Sequence, residues 1–349
     1  MGILKKILNL FNENFTQKRL ILFLFSLIFL GEFETSQSLA QEQDLIIKKE
    51  VDLSRYGSPS FIDQNRTNKQ LVVGFQNCNL VILNRGLELE RNVYLDKCGK
   101  LFKSRYGVFD NQTIISSAIY SGNASLVNAD QSFSIPIHKA AVTDSFITNN
   151  YLISSSDDGS VQINILNNLL KNKVVSYKIY RSIGVARNLA IFPTNSAPTS
   201  KIAVSYDSGE IAVLSLTKNI SKEKVDSVKF QPIESRINAL KFLQSGDKLI
   251  VGYFTGDLVE INITNGQFRK LLQVNSQISS LDISPENIIA IADDKGYVRI
   301  ISSVTSRVLQ EQKISSVGVT GIIFTNDKAL LATDAAGYLY QFNLTKLSD

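Results

Sequence analysis

The sequence has 349 residues, of which 44% are hydrophobic, and a formal net charge of +5. A single histidine excludes a histidine-rich metal centre, so we predict no metal site. The basic residues are spread along the chain, without a lysine- and arginine-rich cluster interleaved with aromatic residues. We therefore expect no nucleic-acid binding.

Residues 1–40 are interpreted as a secretory signal peptide. Basic residues precede an apolar run of eleven residues from Leu20 to Leu30, and the small residues Ser38 and Ala40 frame a typical cleavage site. The run is shorter than the roughly 20 residues that a membrane-spanning helix needs. We expect an exported mature chain (secreted, periplasmic or lumenal) that is not inserted in the membrane. The alternative is an uncleaved N-terminal segment that tethers the chain.

The remainder of the chain repeats one unit: an apolar strand, a tight turn and an alternating strand. The turn glycines are Gly122, Gly159, Gly209, Gly256, Gly296 and Gly337. Their spacings of 37, 50, 47, 40 and 41 residues are close to the roughly 40–45 residues of a propeller blade. One more copy, from Leu71 to Asn84, has Cys78 in its turn. The pattern therefore predicts seven units.

The stretch from Ile137 to Leu166 is the most regular copy, and it resembles the WD-repeat family. The matching positions are His138, Val142, Ser154, Ser156, Asp157, Asp158 and Gly159. The resemblance implies a buried hydrogen-bond network of His138, Ser156 and Asp158, although Asn164 stands where the family has tryptophan. It also implies an all-β, seven-bladed propeller of four-stranded antiparallel blades, as a single domain over residues 41–349.

The seventh unit ends at its third strand, so its outermost strand must come from elsewhere. The segment from Leu45 to Leu53 reads as a strand without a blade of its own. Pairing of this segment with Tyr338 to Leu344 would close the ring. We expect that closure because closed rings remove the free sheet edges that promote aggregation.

Both cysteines, Cys78 and Cys98, fall in the first unit. In propeller topology, the turn that holds Cys78 and the connection that holds Cys98 open on the same face. Two cysteines in an exported protein favour a disulfide. The alternative is a pair of unbonded, buried thiols.

No pattern for catalysis stands out, and we predict neither a catalytic residue nor a cofactor. The sequence has no G-x-S-x-G elbow and no glycine-rich phosphate loop. The acidic pairs Asp157-Asp158 and Asp293-Asp294 occupy repeat turns, where aspartate is favoured by local hydrogen bonding. We therefore expect a protein that is not an enzyme.

Two arginines depart from the repeat pattern. In an alignment of the innermost strands, Arg105 and Arg187 take the position that holds Val142, Ile237, Ile278 and Val319 in other units. One interpretation is a two-arginine site for the carboxylate of a partner. The alternatives are an alignment error, or arginines that reach solvent.

WD-like propellers mostly serve as rigid interaction surfaces, so the resemblance implies a monomeric, non-catalytic scaffold that binds proteins. The sequence names no partner. A quinoprotein- or lactonase-like propeller that binds or converts a ligand is the alternative, because the segment from Gly256 to Lys270 is similar to a quinoprotein repeat. A scaffold for assembly of envelope proteins is a third possibility.

Overall fold

A computed structural model describes residues 45–344, except residues 130, 149, 170, 172, 193–198, 218–224 and 326–328. The signal peptide predicted for residues 1–40 lies outside the described part of the chain. No helix within that part is long and apolar enough to cross a membrane. The described residues form 28 strands, a short 3-10 helix (Ser54–Tyr56) and a short α-helix, α1 (Leu166–Leu169).

The strands form seven four-stranded antiparallel sheets. Blade 1 contains β2 (Pro59–Gln64), β3 (Leu71–Phe75), β4 (Asn79–Leu83) and β5 (Leu89–Tyr94). Blade 2 contains β6 (Leu101–Phe109), β7 (Gln112–Ile119), β8 (Asn123–Val127) and β9 (Ser132–Pro136). Blade 3 contains β10 (Val142–Thr148), β11 (Tyr151–Ser156), β12 (Ser160–Ile165) and β13 (Ser176–Arg181). Blade 4 contains β14 (Ala186–Phe192), β15 (Thr199–Tyr206), β16 (Ile211–Thr217) and β17 (Asp226–Phe230).

The three remaining blades follow the same plan. Blade 5 contains β18 (Ile237–Phe242), β19 (Lys248–Tyr253), β20 (Asp257–Asn262) and β21 (Phe268–Gln273). Blade 6 contains β22 (Ile278–Ile283), β23 (Ile288–Asp293), β24 (Tyr297–Ser302) and β25 (Val308–Lys313). Blade 7 contains β26 (Val319–Phe324), β27 (Ala329–Asp334), β28 (Tyr338–Asn343) and, as its outermost strand, β1 (Ile46–Asp52).

The blades form a closed ring. The innermost strand of each blade contacts the innermost strand of the next, and β26 of blade 7 contacts β2 of blade 1. The predicted all-β, seven-bladed propeller is therefore confirmed.

The hydrophobic core lies between neighbouring blades. For example, Ile153 and Ile163 of blade 3 pack with Leu189 and Val204 of blade 4. Both faces of each sheet are covered in this way, so the second strand of a blade is built mainly from apolar and small residues, and β3 is buried at every position. This two-sided burial is why the repeat could be recognised as a series of short apolar runs.

The last blade uses a strand from the other end of the described chain. β1 pairs antiparallel with β28, from Ile46 opposite Asn343 to Asp52 opposite Tyr338. The side chains of β1 are mostly exposed, but Leu45 just before it is 1% exposed and Leu53 just after it is 4% exposed. Two buried leucines therefore anchor an edge strand whose own side chains are mostly exposed.

One end of the ring carries the turns between the second and third strands of the blades, at residues 76–78, 120–122, 157–159, 207–209, 254–256, 294–296 and 335–337. We call this end, together with the connections into the next blade, the turn face. The six predicted turn glycines have φ angles from +77° to +100°. At Gly256, a Cβ would lie 2.1 Å from the carbonyl oxygen of Val274, whose N–H donates to the Gly256 carbonyl at 3.0 Å. Glycine thus lets the turn and the next connection touch.

Cys78 occupies the turn-glycine position of blade 1. Its φ is also positive, at +74°, and its carbonyl accepts the N–H of Leu95 at 2.9 Å, as the glycine carbonyls do in other blades. Its sulfur is bonded to that of Cys98 in the connection to blade 2, so the predicted disulfide is present. A cross-link over this sequence separation typically stabilises a fold by about 3 kcal/mol.

Candidate functional site

Charged side chains interrupt the innermost strands near the axis of the ring. We call six of them the channel cluster: Asp63, Lys103, Arg105, Asp144, Lys241 and Asp282. They come from blades 1, 2, 3, 5 and 6, and they comprise three acidic and three basic residues. Their formal charges are therefore balanced within the cluster.

Arg105 contacts a carboxylate, a backbone carbonyl and two aromatic rings. Its Nε and Nη2 atoms donate to the two carboxylate oxygens of Asp144 at 3.1 and 2.9 Å, and Nη2 also lies 3.3 Å from the Leu189 carbonyl oxygen. The guanidinium carbon lies 5.0 Å from the ring centre of Phe61 and 5.7 Å from that of Phe146. This geometry combines a bidentate ion pair with two cation–π contacts. Arg105 consequently joins blade 2 to blades 1, 3 and 4.

Asp144 is the buried acceptor at the centre of these contacts, with an exposed fraction of 0%. It also accepts hydrogen bonds from Lys103 Nζ at 3.0 Å and from the Leu189 N–H at 2.9 Å. Burial alone would raise its pKa, but the charges of Arg105 and Lys103 hold the pKa of Asp144 below its ordinary value. Burial lowers the pKa of Lys103, an effect that the Asp144 charge opposes. The carboxylate thus stays ionised inside the protein.

Two other acidic residues of the cluster also bind the backbone of the next blade. Asp63 Oδ2 accepts the N–H of Tyr106 at 2.8 Å, and Asp282 Oδ2 accepts the N–H of Phe324 at 2.8 Å. Burial raises the pKa of Asp63, against the effects of the Tyr106 N–H and the Arg105 charge. These contacts satisfy N–H groups on the inner strands. The channel cluster therefore joins neighbouring blades, a role that we did not predict from the sequence.

Strand pairing corrects the alignment that singled out the two arginines. The position of Val142 in blade 3 corresponds to Leu101 in blade 2 and to Ala186 in blade 4. The alignment was therefore wrong by four residues for Arg105 and by one for Arg187.

The two arginines also lie in different surroundings. Arg105 belongs to the channel cluster, whereas Arg187 lies at the turn face and binds Asp207 of its own blade, with N–O distances of 2.7 and 2.8 Å. The Arg187 and Asp207 side chains are 35% and 32% exposed. Each guanidinium group already holds a carboxylate of the chain. The joint carboxylate site predicted for Arg105 and Arg187 thus has no pair of uncommitted cations.

Cations and aromatic rings meet at three places on the turn face. The pairs are Arg55 with Tyr56 at 4.8 Å, Lys100 with Phe102 at 5.9 Å, and Arg236 with Phe254 at 4.5 Å. Each cation belongs to a connection between blades. Tyr120, at a turn beside Phe102, is 62% exposed, and Phe254 is 42% exposed. Aromatic residues and arginine are enriched at the energetic centres of protein interfaces.

His138 forms a buried network within blade 3. The Gln162 amide nitrogen lies 3.2 Å from Nδ1 and donates to it, so Nε2 carries the hydrogen and donates to Ser154 Oγ at 2.9 Å. Ser160 Oγ lies 3.3 Å from Nδ1 and donates to Asp158 Oδ1 at 2.5 Å. The network therefore links the connection to blade 3 with the second and third strands of that blade.

One member of the predicted network differs. His138 contacts Ser154, whereas Ser156 Oγ accepts the N–H of Asp158 at 3.3 Å and so stabilises the turn. Ser154 and Ser156 are two residues apart, so a regular strand would point both to the same face, but Ser156 is the last residue of β11, where the turn begins. Asn164, at the tryptophan position of the family, is buried with both side-chain polar atoms unpaired among the described residues.

The pH dependence of stability provides a test of the His138 network. Burial lowers the pKa of His138 to about 4, against the opposing charge of Asp158. The unfolded chain takes up this proton near pH 6.5, so between pH 6.5 and 4 the unfolded state binds more protons than the folded state. We expect the free energy of unfolding to fall by about 3 kcal/mol as the pH drops through this window.

Urea unfolding between pH 7 and pH 4 would measure this effect. Because His138 is the only histidine in the chain, the variant His138→Asn should have a shallower pH dependence than the wild type. Carboxylates titrate in both proteins, so the difference between their slopes isolates the imidazole. Equal slopes would contradict the buried, neutral histidine.

No group of three or more histidine, cysteine, aspartate or glutamate side chains is arranged to hold a metal ion in the described ranges of the chain. Neither a protein-family model nor a curated protein matches the sequence. The ring of blades is compatible with a WD-repeat-like propeller. Membership of that family remains a prediction based on the motif around His138.

Proposed function

We propose that the protein is an exported, non-catalytic propeller of the WD-repeat-like type that binds a protein partner through its turn face. The observation that carries this proposal is the set of three cation–aromatic pairs on that face. Export is inferred from the basic and apolar pattern of residues 1–40.

The character of the turn face supports protein binding. Ile183, in the connection between blades 3 and 4, is 92% exposed, and Tyr120 and Phe254 lie at two of the turns. An aromatic side chain beside a cation gives a partner both apolar area and a hydrogen-bond donor. The short turns are fixed by their hydrogen bonds to the connections, so the surface needs little ordering when it binds.

The charged side chains in the channel favour the turn face, and not the axis of the ring, as the binding site. Arg105 lies between two aromatic rings and holds Asp144, and Lys241 binds Asp282. A ligand that entered between these groups would have to break the buried ion pair of Arg105 and Asp144, which is costly. The turn face offers contacts without that cost.

Cross-linking in native cells with a lysine-reactive reagent would test the proposal. Lys100, Lys139 and Lys295 are exposed on the turn face, whereas Lys69 and Lys171 belong to loops at the opposite end of the ring. We expect the links to the partner to be concentrated at the first group. Links concentrated at Lys69 and Lys171 would contradict the proposed binding face.

The cross-linked partner then allows a matched comparison within blade 5. Phe254 is exposed at the turn face, and Phe268 is 59% exposed at the opposite end. The variant Phe254→Ser should weaken binding by about 2 kcal/mol, the scale of an interface hot spot, while Phe268→Ser should leave binding unchanged. An equal loss in both variants would contradict a turn-face site.

A further inference from the structure

A cleft of about 630 Å³ lies between blades 1 and 2. Its apolar floor is formed by Ile82 of blade 1 and by Ile115 and Val127 of blade 2. Asn68, from a loop at the end opposite the turn face, and Gln112, at the start of β7, contribute to its rim. The size is that of a site for a small molecule, and both blades are needed to form it.

Tyr106 lines this cleft and carries a buried hydroxyl group without a hydrogen-bond partner among the described residues. A buried hydroxyl without a partner destabilises a fold, and most buried hydroxyls are paired. Burial raises the pKa of Tyr106, as do the charges of Asp63 and Glu90, so the hydroxyl keeps its proton at neutral pH. It remains available as a donor to a ligand.

The charges at the rim are already used within the protein. Arg91 of blade 1 donates to the carbonyl oxygens of Ala129 at 2.5 Å and Asn128 at 3.0 Å in blade 2. Glu90 accepts a hydrogen bond from Gln70 Nε2 at 2.5 Å. The groups at the rim that are available to a ligand are therefore mainly neutral amide, hydroxyl and carbonyl groups. Such a mixture of donors and acceptors suits ligand hydroxyls, since each can both donate and accept.

We propose that the cleft between blades 1 and 2 binds a small neutral saccharide, with the Tyr106 hydroxyl as a hydrogen-bonding group for it. Gln70 and the exposed Glu90 line the same cleft as Tyr106, and they can exchange the hydrogen bond between them for bonds to the sugar. The carbon faces of the sugar pack on the apolar floor. This site is independent of the turn face.

Saturation-transfer NMR with the mature protein would detect such binding. Maltose, cellobiose and diacetylchitobiose serve as probes at up to about 10 mM, because a ligand with few contacts binds in the millimolar range. We expect transfer to at least one of the three disaccharides. Transfer to none of them would overturn the proposal.

Two tyrosine variants then locate the site. Tyr253 of blade 5 also has a buried, unpaired hydroxyl, but it does not line this cleft. We expect Tyr106→Phe to weaken binding of the disaccharide about tenfold, or about 1.4 kcal/mol, without lowering the melting temperature. Tyr253→Phe should bind as the wild type does. Unchanged binding in Tyr106→Phe, or equal losses in both variants, would overturn the proposal.

Discussion

The variant Arg105→Leu is expected to lower the free energy of unfolding by about 3–5 kcal/mol. Asp144 has no exposed surface, and the variant would remove both hydrogen bonds that Arg105 donates to it. Among the described residues, Lys103 would then be the one cation that forms an ion pair with that carboxylate. The cation–π contacts of Arg105 with Phe61 and Phe146 would also be lost. Chemical denaturation at neutral pH would measure the change.

Arg187→Leu is the matched control. Arg187 also makes a two-bond ion pair, with Asp207, but both side chains are about one-third exposed. Water can solvate the carboxylate that is left behind, so we expect a loss of about 1 kcal/mol or less. Equal effects of the two substitutions would contradict the structural role of Arg105 in the channel cluster.

The fold was predictable because its signals are local. Each blade has an apolar second strand, a turn with a positive φ, and an alternating third strand, all within a short stretch such as Ile137 to Leu166. The position of Cys78 in a turn was predicted in the same way, because it stands where the other units have glycine. Cys98 was predicted as its partner because it lies in the connection that packs against this turn.

The channel cluster was not predictable because its contacts are between blades. Asp144 binds Lys103 and Arg105, which lie 41 and 39 residues before it, and Lys103 reaches Asn188, 85 residues further along. A motif search within one repeat does not contain such pairs. The remaining signal was Asp144 itself, a charged residue in the middle of the strand Val142–Thr148. Such a residue needs a partner when the strand is buried.

Removal of the edge strand is expected to have a similarly large effect. A chain that begins at Ser54 would lack β1 and would lose the buried side chains of Leu45 and Leu53. Loss of a buried leucine side chain typically costs about 2–5 kcal/mol, so we expect the free energy of unfolding to fall by at least about 4 kcal/mol. The unpaired edge of β28 should also promote aggregation. Thermal unfolding and light scattering would measure both effects.

A synthetic peptide of residues 43–53, added to the shortened chain, would separate strand pairing from a general effect of truncation. The peptide should pair with β28 as β1 does, raise the melting temperature and suppress aggregation. A control peptide with Leu45→Asp and Leu53→Asp keeps the edge strand but removes both apolar anchors, so it should restore little stability. A shortened chain that melts at the wild-type temperature, or equal rescue by the two peptides, would contradict the anchoring of blade 7 by these leucines.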